Sequence, residues 1–264
     1  MSFELDHISP SQLRMFGNCG EKYRRRYVLG EKTPPGLAMA KGTSLHAAAE
    51  MNDTHRLADP ETMLPLDDLR DAAATRFDAE LKDGWDKQPD SDPGREKDGA
   101  IAMVDMYYES VAPHYRPLLV EQDVVVPIPQ TPVTINGRLD LADTMGDVRD
   151  LKTSSKTKSQ GDADTDLGLT FYALAYRVRT GDWPRGVLID NYVETASGNR
   201  SYKQILTARP KPVVDAFLAK AYMMLAAVGK GVFVPRTGAD GNFLCNPRWC
   251  GYAKTCRYCD AARA

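Results

Sequence analysis

The sequence predicts an α/β fold: a mixed central sheet flanked by helices, with a helical N-terminal region before it and a cysteine-rich tail after it. Three observations carry that expectation. Apolar residues recur at helical spacing through most of the first 116 positions. From Leu118 onward, β-branched alternating segments take turns with helical ones. Four of the five cysteines fall within the last twenty residues. At 264 residues, 42% hydrophobic and 27% charged, the chain is long enough to bury the core of one large domain.

Taken in order, Ser9-Pro10-Ser11-Gln12-Leu13 reads as a helix start, with Ser9 as cap and Pro10 at the first helical position. That helix carries Leu13, Phe16 and Cys19 and runs toward Tyr27, until Thr33-Pro34-Pro35-Gly36 breaks the pattern. A second helix is expected over 42–52, including His46. Residues 60–116 read as mostly helical, with Leu66, Leu69, Ala73, Phe77 and Leu81 on one stripe and a polar interruption at 88–94. Strands are expected over 118–128, 133–143 and 147–153, the last two joined by the turn Thr144-Met145-Gly146-Asp147. A helix over 167–179 carries Leu169, Tyr172, Ala173 and Tyr176. Strands over 187–194 and 201–206 and a helix over 211–229 complete the reading.

The net charge of −2 exerts no overall pull toward nucleic acid, so any such binding rests on local patches. Two stand out: Lys22, Arg24, Arg25 and Arg26 in one run, and Lys156 with Lys158 beyond Lys152. Each taken alone also reads as a solvated charged face. No apolar run approaches the ~20 residues a membrane helix needs. Met1-Ser-Phe-Glu-Leu-Asp-His has neither a basic start nor an apolar stretch, and the expectation is a cytoplasmic protein. An odd number of cysteines there argues against a disulfide framework and for metal or reactive roles.

The most telling stretch is Gly137-Arg138-Leu139-Asp140, followed ten residues later by Asp150-Leu151-Lys152. Side chains two apart on a strand share a face, so Asp150 and Lys152 point the same way and Leu151 points into the core. Asp140 does likewise on the neighbouring strand. Two carboxylates there can hold a divalent cation, and an ammonium beside them can position an attacking water. That trio suits phosphodiester hydrolysis; from spacing alone, a surface strand with ordinary acids accounts for it equally.

The order Gly42-x-x-x-His46, Glu121, Gly137-x-x-Asp140, Asp150-x-Lys152 and a helix bearing Tyr172 resembles the PD-(D/E)xK nucleases, in particular their RecB-type, AddB-like exonuclease branch, which includes many phage proteins. The opening Ser9-Pro-Ser-Gln-Leu-Arg-Met-Phe-Gly-Asn-Cys19, followed by Tyr23 and Tyr27, is similar to that branch's N-terminal segment. The resemblance implies a restriction-endonuclease-like core. It makes Asp140 and Asp150 metal ligands, His46 a further ligand, Lys152 the group that orients the water, and Mg²⁺ or Mn²⁺ the cofactor. Glu121 and Tyr172 stand as secondary candidates. Members usually carry glutamine four residues before the helix tyrosine; here that position is Gly168, which puts that contact in doubt.

Cys245, Cys250, Cys256 and Cys259 are dense enough to hold a soft metal. Only Cys256-x₂-Cys259 has the tight spacing of a zinc pair. The resemblance implies instead a [4Fe–4S] cluster on Cys19, Cys245, Cys250 and Cys256, stapling the first helix to the tail, with Cys259 left over. On this reading residues 1–264 form a single nuclease domain: 1–59 helices with the first cluster cysteine, 60–117 a helical insertion, 118–235 the catalytic core and 236–264 the iron–sulfur tail.

The expected function is a metal-dependent DNA exonuclease acting on single-stranded or duplex ends in recombination or repair, in the host cytoplasm if phage-encoded, alongside recombination or replication proteins. A non-catalytic DNA-binding or assembly module with the same fold is the alternative, supported by Gly168. A zinc-ribbon interaction protein is a third reading.

Overall fold

The computed structural model describes residues 5–88, 91–237 and 244–259. By their internal contacts the residues group into two units. One comprises 1–34, 125–136 and 211–264; the other comprises 35–124 and 137–210.

The second unit holds the sheet core, apart from the last residues of its second strand and the first of its third, 125–127 and 134–136, which belong to the first. Strands β3 (Thr134–Asp143), β4 (Asp147–Ser154), β5 (Gly186–Glu194) and β6 (Arg200–Thr207) lie side by side in that order, with β2 (Pro117–Pro127) also paired to β3. β3 and β4 form the expected antiparallel hairpin, with Leu141 opposite Arg149 and Ala142 opposite Val148. β4 and β5 run parallel, and β5 and β6 antiparallel, so the sheet is mixed as predicted. Helices α3 (Leu37–Ala58), α4 (Leu66–Leu81) and α5 (Pro93–Ser110) pack on one another, and α7 (Leu167–Thr180) packs on β4 and β5. The main core joins Leu45, Ala48 and Ala49 of α3 to Leu141, Leu151 and Tyr192 of the sheet, together with Met103, Val104 and Tyr107 of α5. Below this layer Arg149, 6% exposed, is satisfied by Asp143 and Asp190. A buried cation without partners would cost several kcal/mol, so that arrangement removes a penalty more than it adds stability.

The first unit carries α1 (Pro10–Asn18), α2 (Gly20–Tyr23), a π-helical turn over Arg24–Val28 and α8 (Lys211–Gly229). Ser9 accepts from the Gln12 amide and Pro10 opens α1, as the sequence predicts. The helix stops short of the expected Tyr27. Cys19 adopts an extended conformation, φ −165° and ψ 111°, and serves as C-cap of α1 and N-cap of α2. Two-residue β1 (His7–Ile8) runs parallel to the opening of β3, His7 beside Thr134 and Ile8 beside Ile135. Tyr23 stacks on Phe233 and packs edge-on to Phe16 and tilted against Tyr27. α8 corrects one expectation: over nineteen residues with mean hydropathy 1.4, it is long and apolar enough to cross a membrane by length and composition. Counting uninterrupted apolar runs misses it because Asp215 and Lys220 intervene. In the fold Val214, Phe217, Ala221, Met224 and Val228 are buried at helical spacing, the pattern of a packed helix.

The α3 helix extends beyond the expected 42–52 at both ends, and α6 (Gln160–Asp164) is an unanticipated short helix. The signal for α6 is present in the sequence: Ser159 and Asp162 form a reciprocal capping box.

Candidate metal centre and cysteine cluster

Carried one residue on, the β3–β4 register sets Asp140 opposite Asp150, on the face away from Leu141 and Leu151. Lys152, two residues along, reaches back so that Nζ lies 2.7 Å from Asp150 Oδ1. Asp150 is 1% exposed.

Two glycines let helices close on this hairpin. A Cβ on Gly42 would lie 3.3 Å from Thr153 Oγ1, so its absence allows α3 to approach β4. One turn later, on the same helix face, His46 meets Leu151, the residue between Asp150 and Lys152; ring Nε2 lies 2.9 Å from the Leu151 carbonyl. A carbonyl only accepts, so Nε2 carries the proton and Nδ1 of the neutral ring turns a lone pair toward the carboxylates. A Cβ on Gly137 would come within 2.7 Å of the Phe171 ring, so α7 packs directly on β3 there. The next residue of α7, Tyr172, donates its hydroxyl to Asp140 Oδ1 at 2.5 Å.

Glu121 completes the group from β2. Its Oε1 is 3.6 Å from His46 Nδ1, as is Asp140 Oδ2, and its Oε2 is 3.7 Å from Arg138 Nη1. The backbone of Glu121 sits at φ +45°, a left-handed conformation rare for a non-glycine residue in a strand. One ligand atom from each of His46, Glu121 and Asp140 lies within 4.8 Å of the others. Asp150 stands beside this trio, engaged with Lys152.

Two buried oxygens, Asp140 Oδ2 and Asp150 Oδ2, have no hydrogen-bond partner. A desolvated carboxylate oxygen left this way is costly unless a cation or water satisfies it. Hard oxygens plus one imidazole are a donor set for Mg²⁺ or Mn²⁺, so the residues fit such an ion. The titration behaviour agrees. Burial disfavours the His46 imidazolium, but Asp140, Glu121 and Asp150 outweigh burial and lift its pKa to about 9. Burial, with Asp140 adding like charge, raises Asp150 against the pull of Lys152. The ammonium of Lys152 is held charged by Asp150 and Asp140 despite its burial. Burial and the nearby carboxylates keep the Tyr172 phenol protonated, and therefore a donor.

Gly168 lies in the first turn of α7, where its amide donates to the Asp166 carboxylate at 2.7 Å. Lys156 and Lys158 follow β4 in the same unit as the acids, whereas Lys22 and Arg24 to Arg26 belong to the other unit. There Arg24 is bidentate to Glu21, and Arg25 bonds Glu31 and Thr255 Oγ1 and lies over the Tyr252 ring. Lys22 Nζ donates to the Trp249 carbonyl. These three cations are thus engaged within their own unit; Arg26 is exposed.

All five cysteines line one cavity of about 200 Å³ within the first unit. Cys19 Sγ accepts the amides of Lys22 and Arg236, each at 3.4 Å, and Cys259 donates to the Cys245 carbonyl. Burial raises the Cys245 thiol to about 11, with Cys259, Cys19, Cys250 and Cys256 adding to it. Among the described residues no three of these sulfurs lie within 4.8 Å of one another. The all-sulfur lining supplies donors for a soft metal centre.

A mixed α/β sheet whose hairpin gathers acids and a lysine defines a class of phosphodiester-cleaving proteins, and the comparisons agree. The profile of the PD-(D/E)XK nuclease superfamily matches residues 7–257, and the chain belongs to that superfamily. It is a nuclease, and Asp150-Leu151-Lys152 has the (D/E)-x-K form. A crystal structure from Eubacterium rectale, described as a "putative exonuclease", superposes with a TM-score of 0.59 over 98% of this chain and 89% of that one; at 11% identity it shows the shared fold. No curated relative matches in sequence.

Proposed function

We propose that this nuclease is a metal-dependent deoxyribonuclease of the RecB-type branch that degrades DNA from its ends in recombination or repair, in the cytoplasm. The observation that carries the proposal is the convergence of His46, Glu121 and Asp140 beside the Asp150–Lys152 pair, with two carboxylate oxygens unpartnered. His46, Glu121, Asp140 and the free Oδ2 of Asp150 would hold the cation. When bound, such an ion offsets charge on the scissile phosphate and acidifies water at neutral pH. Lys152, steadied by Asp150, presents an ammonium that orients the attacking water and stabilises developing negative charge. The Leu151 carbonyl orients His46, and Tyr172 holds Asp140 in place.

Charge is divided unequally between the units. The first carries 14 Lys/Arg against 7 Asp/Glu, a formal +7; the second carries 20 against 29, a formal −9. The overall −2 conceals a basic module suited to a phosphate backbone. We further propose that Cys19, Cys245, Cys250 and Cys256 hold a [4Fe–4S] cluster within that module. Equal iron and acid-labile sulfide in brown protein purified without oxygen supports this; colourless protein containing zinc overturns it.

The test of function is cleavage of end-labelled linear and covalently closed circular DNA, under anaerobic conditions, with Mg²⁺, Mn²⁺ or chelator. Loss of linear DNA alone, only with metal, is the expected result. Equal attack on circles refutes end-dependence, and no cleavage with either metal favours the assembly-module alternative.

A further inference from the structure

Asn191 lies on β5 with no exposure, opposite Lys152 of β4. A parallel pairing sends the two side chains to the same face, so Asn191 lies on the face that carries Asp140, Asp150 and Lys152. A buried primary amide in a central strand is unfavourable unless its donors and acceptor are all used. Here every hydrogen bond goes to one short segment. Nδ2 donates to the Lys152 carbonyl at 3.2 Å and to Ser154 Oγ at 2.8 Å. Oδ1 accepts the Lys158 amide at 2.8 Å. Ser154 Oγ passes the tie onward to the Lys156 carbonyl at 2.8 Å. The turn between β4 and α6 is therefore clamped from beneath at both ends. Ser155, Lys156 and Thr157 are left exposed on top of it, beginning three residues beyond Lys152. The two lysines differ. Lys158 is half-buried and tied through its backbone amide to Asn191, with its charge near enough to Asp162 to favour that carboxylate, whereas Lys156 is exposed and its ammonium has no partner among the described residues.

We propose that Asn191 is a positioning residue. It holds the Ser154–Lys158 turn as a shelf on which Lys156 takes a backbone phosphate of the DNA strand next to the bond being cleaved. This rests on the DNA-nuclease reading and adds the subsite to it. Contacts of this kind are read by salt: each phosphate neutralised contributes about one to the slope of log affinity against log salt.

The test is the binding of duplex DNA ends in chelator, where no cleavage occurs, across a salt series for the wild type, Lys156→Ala, Lys158→Ala, Asn191→Ala and the double variant Asn191→Ala/Lys156→Ala. Lys156→Ala should lower the slope by about one, and Lys158→Ala should not. Asn191→Ala should reproduce the Lys156→Ala loss, and the double variant should bind no more weakly than Asn191→Ala. In cleavage, Asn191→Ala should raise KM severalfold with kcat within about twofold, the mark of lost uniform binding. Multiplying effects in the double variant, or an unchanged slope for Lys156→Ala, overturns the proposal. Should Asn191→Ala fail to fold, Ser154→Ala breaks the same tie from the exposed side and is judged by the same criteria. A wild type that binds with the expected slope yet does not cut counts against the reaction, not against this subsite.

Discussion

Glu121→Gly separates the stability of this protein from its function. At φ +45° a residue with a Cβ carries about 1–2 kcal/mol of backbone strain, which glycine relieves. Glycine's greater loss of chain entropy returns about 0.5–1 kcal/mol. The side chain faces the cations His46 and Arg138 as well as the like-charged Asp140, so its electrostatic gains and losses oppose each other and the backbone decides the sign. The metal-free variant should therefore be more stable by about 0.5–1 kcal/mol, a melting temperature raised by about 1–3 °C for a chain of this size. Metal reverses the order. At one hundred times its dissociation constant, Mn²⁺ stabilises a protein by about 2.7 kcal/mol, and the variant should lose most of that. Thermal melts with chelator and with Mn²⁺ read both effects; Glu121→Gln, which keeps the strain and loses the charge, is the control. A Glu121→Gly protein that melts below the wild type in chelator, or shifts as far with Mn²⁺, refutes the reasoning.

Four further outcomes are expected. Tyr172→Phe removes the donor to Asp140 Oδ1, leaving a buried carboxylate oxygen short of a partner, and should weaken Mn²⁺ binding about 10–100-fold by titration; unchanged affinity would show that the phenol does not hold the ligand. His46 is protonated at pH 7 in the metal-free protein because its pKa is lifted to about 9, so binding must displace a proton. Mn²⁺ affinity should then rise about tenfold per pH unit from 7 to 9 and level off above, a slope that His46→Asn removes. In the metal-free protein the same shift stabilises the fold fully below the ordinary histidine value of about 6.5, and that contribution is lost as pH rises through 9. Asp150→Asn and Lys152→Met should each slow metal-dependent DNA cleavage by about 10²–10⁴-fold with the circular dichroism spectrum unchanged; wild-type rates from either variant contradict the assigned roles.

The elements set by near neighbours were legible. The Ser9 cap, the stripe Leu69, Ala73 and Phe77, and the hairpin turn before Asp147 all lie where the pattern places them. So does the Asp140, Asp150 and Lys152 face, because strand alternation needs no knowledge of the rest of the chain. Two features of the fold go beyond the sequence expectations. α6 does carry a capping-box signal in Ser159 and Asp162, whereas the break at Cys19 has no sequence signature, since nothing local distinguishes a capping cysteine from one inside a helix. Glu121 was named only as a secondary candidate, because its left-handed backbone is imposed by surroundings that its neighbours in sequence do not reveal.

The sequence by itself therefore determined the α/β class, the hairpin and the kinds of group on the face that carries Asp150, all of which depend on contacts within a few residues. Tertiary structure decided which groups meet. His46 reaches the Leu151 carbonyl across 105 positions, and Tyr172 reaches Asp140 across 32, the latter because Gly137 removes the side chain that would keep α7 off the sheet. Distances of that kind follow from how packed surfaces close on one another, and periodicity along the chain carries no record of them.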